Sequence, residues 1–412
     1  MTNGTRRAPR SGEGASVSWL IARGGLPLAA LAGLIIVAVL TFDLLKGQLP
    51  SFGGTKSNGI GPGMTPTPSN VVVVPTKLPS TFLGSIAYVK AGNIWVQSGS
   101  SVRQLTTGGQ DGMPSFSPDG NWVYYIEIRD EKGLYPDTSG VVRNYLMNVP
   151  YLMRTHPDGS AAPELLADGR FRTGRYTWFY FMREPVVSPN GKQVALVSDA
   201  PNPHLQDVVL QFFTLATKKL ASAGAPDEAG LGHQDPAWRP DGLALLYVRN
   251  GRDGSRGSPV IFRYDLKTKK STALTGPGYV QPAYSPDGRF VAVTHTDSFG
   301  SDVFVLDAQN GRELLRITSD GVSSAPVWSP AGNAIAYLRT ETGIADLQLV
   351  TLTGTGPNWT AGKPTAVTEL AGLDPGSRPS WFVPQDQLPT APPSPSSTPS
   401  TRPSGSAAPS AP

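Results

Sequence analysis

One corner recurs along this chain, and it narrows the possible folds more than anything else in the sequence. It is written Pro114-Ser-Phe-Ser-Pro-Asp-Gly120, Pro185-Val-Val-Ser-Pro-Asn-Gly191, Pro236-Ala-Trp-Arg-Pro-Asp-Gly242, Pro282-Ala-Tyr-Ser-Pro-Asp-Gly288 and Pro326-Val-Trp-Ser-Pro-Ala-Gly332. Proline presets φ near −65° at the second turn position, Asp or Asn hydrogen-bonds the backbone just ahead of it, and glycine takes the positive φ that closes the turn. A short apolar strand enters each corner, and a strand rich in β-branched residues, such as Phe290 to Val293, leaves it. A degenerate sixth copy, Pro379-Ser-Trp-Phe382, keeps the proline and the aromatic but loses the turn. The leading prolines lie 44 to 71 residues apart, the period of propeller blades.

The segments between corners complete the pattern. After its corner the fourth copy continues through Val303 to Asp307 and Glu313 to Thr318, so a full repeat is one inner strand, the corner and three more strands. Residues 84 to 107 hold three strands without an inner one, and Pro379 to Phe382 is an inner strand without the other three. Joined, they make one blade from the two ends of the domain, which seals a ring that would otherwise expose unpaired edges. The expectation is therefore an all-β, six-bladed propeller over 84–384, with Trp381 and Phe382 pairing beside Ile86 to Val89. The longest spacing leaves an insertion between Ile128 and Arg183 that contains the aromatic run Tyr176 to Phe181.

Outside the repeats the composition changes. Residues 1–23 carry Arg6, Arg7, Arg10 and Arg23 against the single acid Glu13, and 24–42 is an uncharged apolar run. A helix of that length, at 1.5 Å per residue, covers the bilayer core, and Pro27 falls in its first turn, where a missing N–H costs little. The arginine excess predicts a cytoplasmic amino terminus and an exported remainder. The rival reading, a cleaved signal peptide, calls for a shorter apolar region and a small-residue cleavage site, which Asp43 to Gln48 does not offer. Residues 43–83 read as a Gly/Pro/Ser/Thr-rich stalk, with Val71 to Val74 as a short strand that could dock on the domain. Residues 385–412 read as a disordered or polyproline-like tail.

Among 412 residues there is no cysteine, which excludes disulfides and thiolate metal sites. The formal net charge is only +4, with no basic run in the repeats, so nucleic acid is set aside as a partner.

With its repeats in view, the chain resembles the TolB-like, PD40 class of β-propellers, whose repeat reads Pro-x-aromatic-Ser-Pro-Asp-Gly followed by a strand like Ile335-Ala-Tyr337. The resemblance implies the fold over about 300 residues. It implies no single function, because the module serves periplasmic scaffolds, the gating propellers of prolyl-oligopeptidase-like enzymes, and some lyases. A peptidase would need a hydrolase domain with a Gly-x-Ser-x-Gly elbow, for which the residues after the last blade leave no room.

Propeller ligands usually sit at the channel mouth, on residues that enter the inner strands. Here these include Arg183 and Glu184, His233 and Asp235, Gln281, and Arg378, a polar set that differs from blade to blade. Trp178 and Tyr180 lead into the second corner's inner strand and would add an aromatic platform. No catalytic residue and no cofactor is expected. His233 with Asp235 and Glu184 is the one combination chemically suited to a metal. The functional expectation is a membrane-anchored, extracytoplasmic scaffold that binds an envelope protein, peptide or glycan. The alternative is a lyase- or hydrolase-type enzyme acting at the channel mouth, with or without a metal.

Overall fold

The structure is a computed structural model that describes residues 73–75, 82–205, 207–226, 232–250, 259–354 and 356–389. Six antiparallel sheets follow one another along the chain. Blade II begins with Asp111–Phe116, blade III with Met182–Val187, blade IV with His233–Trp238, blade V with Tyr279–Tyr284 and blade VI with Ser323–Trp328. Blade I is the shared one. Its inner strand Ser380–Phe382 pairs with Ser85–Lys90 in the register Ser85 to Phe382, Ile86 to Trp381 and Ala87 to Ser380. Asn93–Ser98 and Ser101–Gln104 complete that sheet.

The corners form as their chemistry dictates. In blade II the Ser117 hydroxyl donates to Asp119 Oδ1 at 2.5 Å, the same oxygen accepts the Asn121 N–H, and Gly120 N–H donates to Ser117 O. Blades III and V repeat this with Ser188/Asn190 and Ser285/Asp287. Where Ser is replaced by Arg239 in blade IV, the guanidinium grips Asp241 instead, with Nε to Oδ1 at 2.8 Å. The five corner glycines all take φ between 66° and 75°, which a Cβ would strain.

Between blades, side chains of facing sheets interdigitate in six buried clusters. The seal at blade I is apolar as well as hydrogen-bonded. The Trp381 ring meets Phe82 edge-on at 5.7 Å and its indole N–H donates to Leu83 O at 2.8 Å. Phe382 packs against Phe116 of blade II at 5.7 Å.

Two segments flanking the expected propeller pack on blade I. Val73–Pro75, in the expected stalk, adds a fifth strand to blade I by pairing with Ser101 to Arg103. At the other end, within the segment expected as tail, Gln385–Gln387 forms one 3-10 turn and Leu388 packs on the blade I cluster, and 390–412 lie outside the described residues. The insertion lengthens the two middle strands of blade II, Val123–Pro136 and Val142–Thr155, to 14 residues each. A small hairpin, Arg170–Thr173 with Tyr176–Phe179, attaches to it through Thr177 and Leu134.

The expected membrane segment 24–42 lies outside the described residues, as do 1–23 and most of 43–83. Among the described residues no helix is long and apolar enough to cross a membrane.

Candidate binding site in the central channel

Each of the five complete inner strands is broken just before its proline. Met113, Glu184, Asp235, Gln281 and Ala325 all have φ between 53° and 59°, and at each the pairing with the next strand shifts register. A left-handed conformation costs an L-residue roughly 1–2 kcal/mol, so five in equivalent places require compensation. It comes from a relay around the channel. Met113 N–H donates to Ser377 Oγ at 2.8 Å, Glu184 N–H to Met113 Sδ at 3.1 Å, and Asp235 N–H to Glu184 Oε2 at 2.5 Å. Gln281 N–H then donates to Asp235 Oδ2 at 3.0 Å, and Ala325 N–H to Gln281 Oε1 at 2.9 Å. Each bulge presents an amide to the side chain of the blade before it. Ala325, having only a methyl group, ends the relay.

Arg378 of blade I reaches across the channel to blades IV and V. Its guanidinium donates to Pro282 O at 3.1 Å and to Pro236 O at 3.0 Å, and its Nε lies 3.8 Å from Asp235 Oδ1. With Met113, Glu184, Asp235 and Gln281 it lines a cavity of about 300 Å³ whose walls are otherwise largely the inner-strand prolines and their apolar neighbours. Burial, and then repulsion from Asp235, pushes the Glu184 carboxyl up to about 7, against the pull of Arg378 and the Asp235 amide. The channel thus offers a carboxylate paired with arginine, a carboxyl that titrates near neutrality and an amide within one small apolar-walled space. Such a set can orient a polar group of a peptide or sugar by complementary hydrogen bonds.

Of the residues expected at the mouth, the structure brings Glu184, Asp235, Gln281 and Arg378 together in this cavity. Arg183 is exposed, and it joins them only as a nearby positive charge on Glu184. His233 is displaced from the expected place. It is 2 % exposed, its Nδ1 accepts the Leu210 N–H at 3.1 Å, and its Nε2 contacts Pro226 O at 3.1 Å. The first bond fixes the proton on Nε2 and leaves neither nitrogen for a ligand, and burial pushes the imidazole down to about 4. The combination of His233 with Asp235 and Glu184 is therefore not assembled. Among the described residues no group of three or more His, Asp or Glu side chains is arranged to hold a metal.

Trp178 and Tyr180 do not line the cavity either. Trp178 is half-buried among Tyr135, Tyr145, Phe179 and His204, with Tyr135 itself stacked on His204 at 4.6 Å. The Tyr180 hydroxyl donates to Pro201 O at 3.3 Å. These aromatics hold the blade II hairpin to the ring, and Phe181, half-exposed, is the part of the run that faces solvent. What the sequence did not reveal is the left-handed residue before each proline. Its signal would have been the x-Pro pair at the same place in every inner strand, but a residue before proline is ordinarily extended.

The comparisons with known proteins agree with this geometry. The sequence profile described as "PD40: TolB beta propeller domain" matches residues 176–361. A curated relative, the Tol-Pal system protein TolB of Francisella tularensis subsp. holarctica, is 24% identical over 297 residues, which cover 66% of this chain and 59% of that protein. The chain thus spans about six-tenths of the length of the curated relatives it matches. Among solved structures, TolB from Acinetobacter baumannii superposes with a TM-score of 0.52 at 19% identity, covering 74% of this chain and 68% of that one. A chain from Agrobacterium tumefaciens assigned as TolB gives 0.50 at 15%, covering 74% and 96%. At these identities the structural likeness speaks to fold alone. The recurring corners, the six sheets and the sealed blade are the features this chain shares with TolB-like β-propellers, and the PD40 profile matches it over residues 176–361.

Proposed function

We propose that the chain is an extracytoplasmic binding scaffold of the cell envelope, held at the membrane by residues 24–42 with its amino terminus in the cytoplasm. Its propeller engages an envelope protein, a peptide or a glycan at the channel cavity. The observation that carries this reading is the cavity itself, where Glu184, Asp235, Gln281 and Arg378 set an asymmetric polar pattern on apolar walls. A pattern that differs from blade to blade reads a ligand in one orientation, which suits recognition. The relatives' designation as Tol-Pal system proteins supports a protein partner over a glycan. The anchoring half of the proposal rests on the 19-residue uncharged run and the arginines before it.

For the enzymatic alternative, the ligand set His233 with Asp235 and Glu184 finds no support, because His233 spends both nitrogens on the fold. The test is site-specific photocrosslinking in intact cells. A photoreactive residue at exposed Arg183, beside the cavity, should capture a discrete envelope component, and the same residue at Lys270, on an outer strand, should not. Equal capture at both positions would overturn the assignment of this face. Protease accessibility of the propeller in intact and permeabilised cells tests the orientation.

A further inference from the structure

At the Pro-Asp-Gly corner of blade V, removed from the bulge residues, lies a second cavity of about 590 Å³ between blades IV and V. Four arginines line it, Arg239, Arg263, Arg289 and Arg312, with Asp307 the one acid among them. Two of the four are spoken for. Arg239 is paired with Asp241 at 2.6 Å, and Arg263 Nη1 donates to Ala308 O at 3.2 Å and Gln309 O at 3.4 Å. Asp307 is likewise engaged, because its Oδ1 accepts the amides of Gln309 and Asn310. Arg289 rests against the Phe290 ring at 5.2 Å. No described residue offers the guanidinium of Arg289 or Arg312 an ion pair.

The wall contributes a second, independent anomaly. The Tyr284 hydroxyl is buried and has no hydrogen-bond partner among the described residues, although Tyr284 lines this same cavity. Burial raises its phenol to about 12 against the pull of Arg239 and Arg263, so it remains an O–H donor at neutral pH. Arginine has donors only. The pocket therefore gathers four guanidiniums and a phenol around a space whose one carboxylate, Asp307, already accepts two backbone amides through Oδ1. An unpaired buried donor such as the Tyr284 hydroxyl is costly, and the exposed guanidiniums of Arg289 and Arg312 bond a charged oxygen more strongly than they bond water.

We propose that this pocket is a binding site for an oxyanion, a carboxylate or phosphate group of a ligand. Arg289 and Arg312 supply the unpaired charge, Tyr284 donates from the wall, and Arg239 and Arg263 reinforce the field from behind. The site shares the Tyr284 wall with the channel cavity, but its four arginines are not among the residues lining that cavity.

The test uses inorganic phosphate and citrate as probes, each titrated against the protein at constant ionic strength with chloride as the reference, read by calorimetry and thermal unfolding. Saturable binding of at least one probe is expected, with a rise in unfolding temperature that follows the measured affinity. The tighter of the two probes identifies the group as phosphate or carboxylate. The double variant Arg289→Ala/Arg312→Ala should weaken that binding about tenfold or more and Tyr284→Phe about threefold. Arg316→Ala, whose guanidinium pairs with Asp302 elsewhere on blade V, should bind as wild type. Unfolding temperatures in chloride show that each variant is folded. Binding unchanged in the double variant, no saturable binding of either probe, or an effect matched by chloride would each overturn the proposal.

Discussion

Arg378 Nε and Asp235 Oδ1 stand 3.8 Å apart, although the two residues come from opposite blades of the ring. One side chain therefore spans the channel, donates to two backbone carbonyls on its far side and balances a carboxylate that already accepts the Gln281 amide. The cavity's charge is thus a balance between this one cross-channel arginine and the Asp235 and Glu184 carboxyls.

Removing that reach should be costly. Arg378→Met keeps much of the apolar stem but leaves Asp235 without its counter-charge and two carbonyls without a donor. We expect a loss of about 2–3 kcal/mol in unfolding free energy, measured by denaturant titration, with Arg378→Lys intermediate because lysine lacks the planar fork.

The carboxyl of Glu184 gives the domain a pH signature. Its folded value, about 7, lies above the unfolded 4.5, so the native state holds this proton more tightly. That contribution is complete below the unfolded value and is lost as pH rises through about 7. Glu184→Gln, which keeps an oxygen to accept the Asp235 amide, should be more stable than wild type at pH 8 by on the order of 1–2 kcal/mol and indistinguishable at pH 4. A gap that does not change between the two pH values would refute it.

His233 behaves in the opposite sense. A base whose folded value is depressed from 6.5 to about 4 contributes stability above 6.5 and withdraws it as pH falls toward 4. Long-range proton–nitrogen NMR should find the neutral ring protonated on Nε2 at pH 7 and still neutral at pH 5.

Two glycines with the same backbone conformation separate strain from packing. Gly191 and Gly120 have φ of 66° and 71°, but a Cβ at Gly191 meets open space, whereas at Gly120 it would lie 2.2 Å from the Phe382 ring. Gly191→Ala should cost about 1 kcal/mol from strain alone. Gly120→Ala should cost clearly more, because it also pushes the closing strand away from blade II.

Most of this architecture could be read from the sequence, since a corner's residues carry their own turn chemistry and five copies at blade spacing leave little choice of fold. The sealed blade was legible for the same reason, with two incomplete repeats at the two ends of the domain. The site was legible only in part. Glu184, Asp235, Gln281 and Arg378 sit where inner-strand entry places them, but His233, two residues before Asp235, turns into the wall between strands. Which of two alternating positions faces the channel depends on the bulge, and the bulge residues, Met, Glu, Asp, Gln and Ala, share no side-chain chemistry. Trp178 and Tyr180 were misplaced for a related reason: a strand's alternation shows that one side is buried but not against what, and here the partner is a hairpin extension with no counterpart in the other blades.

The seal at blade I has a further consequence for assembly. Trp381 donates to Leu83 across 298 positions of sequence, so the first-made sheet must wait for nearly the whole domain to be synthesised before its inner edge is covered. Until then Ser85–Lys90 is an open template on a nascent chain, and folding that depends on so distant a contact is slow. Whatever shields that edge during synthesis governs how much of this protein reaches its working form.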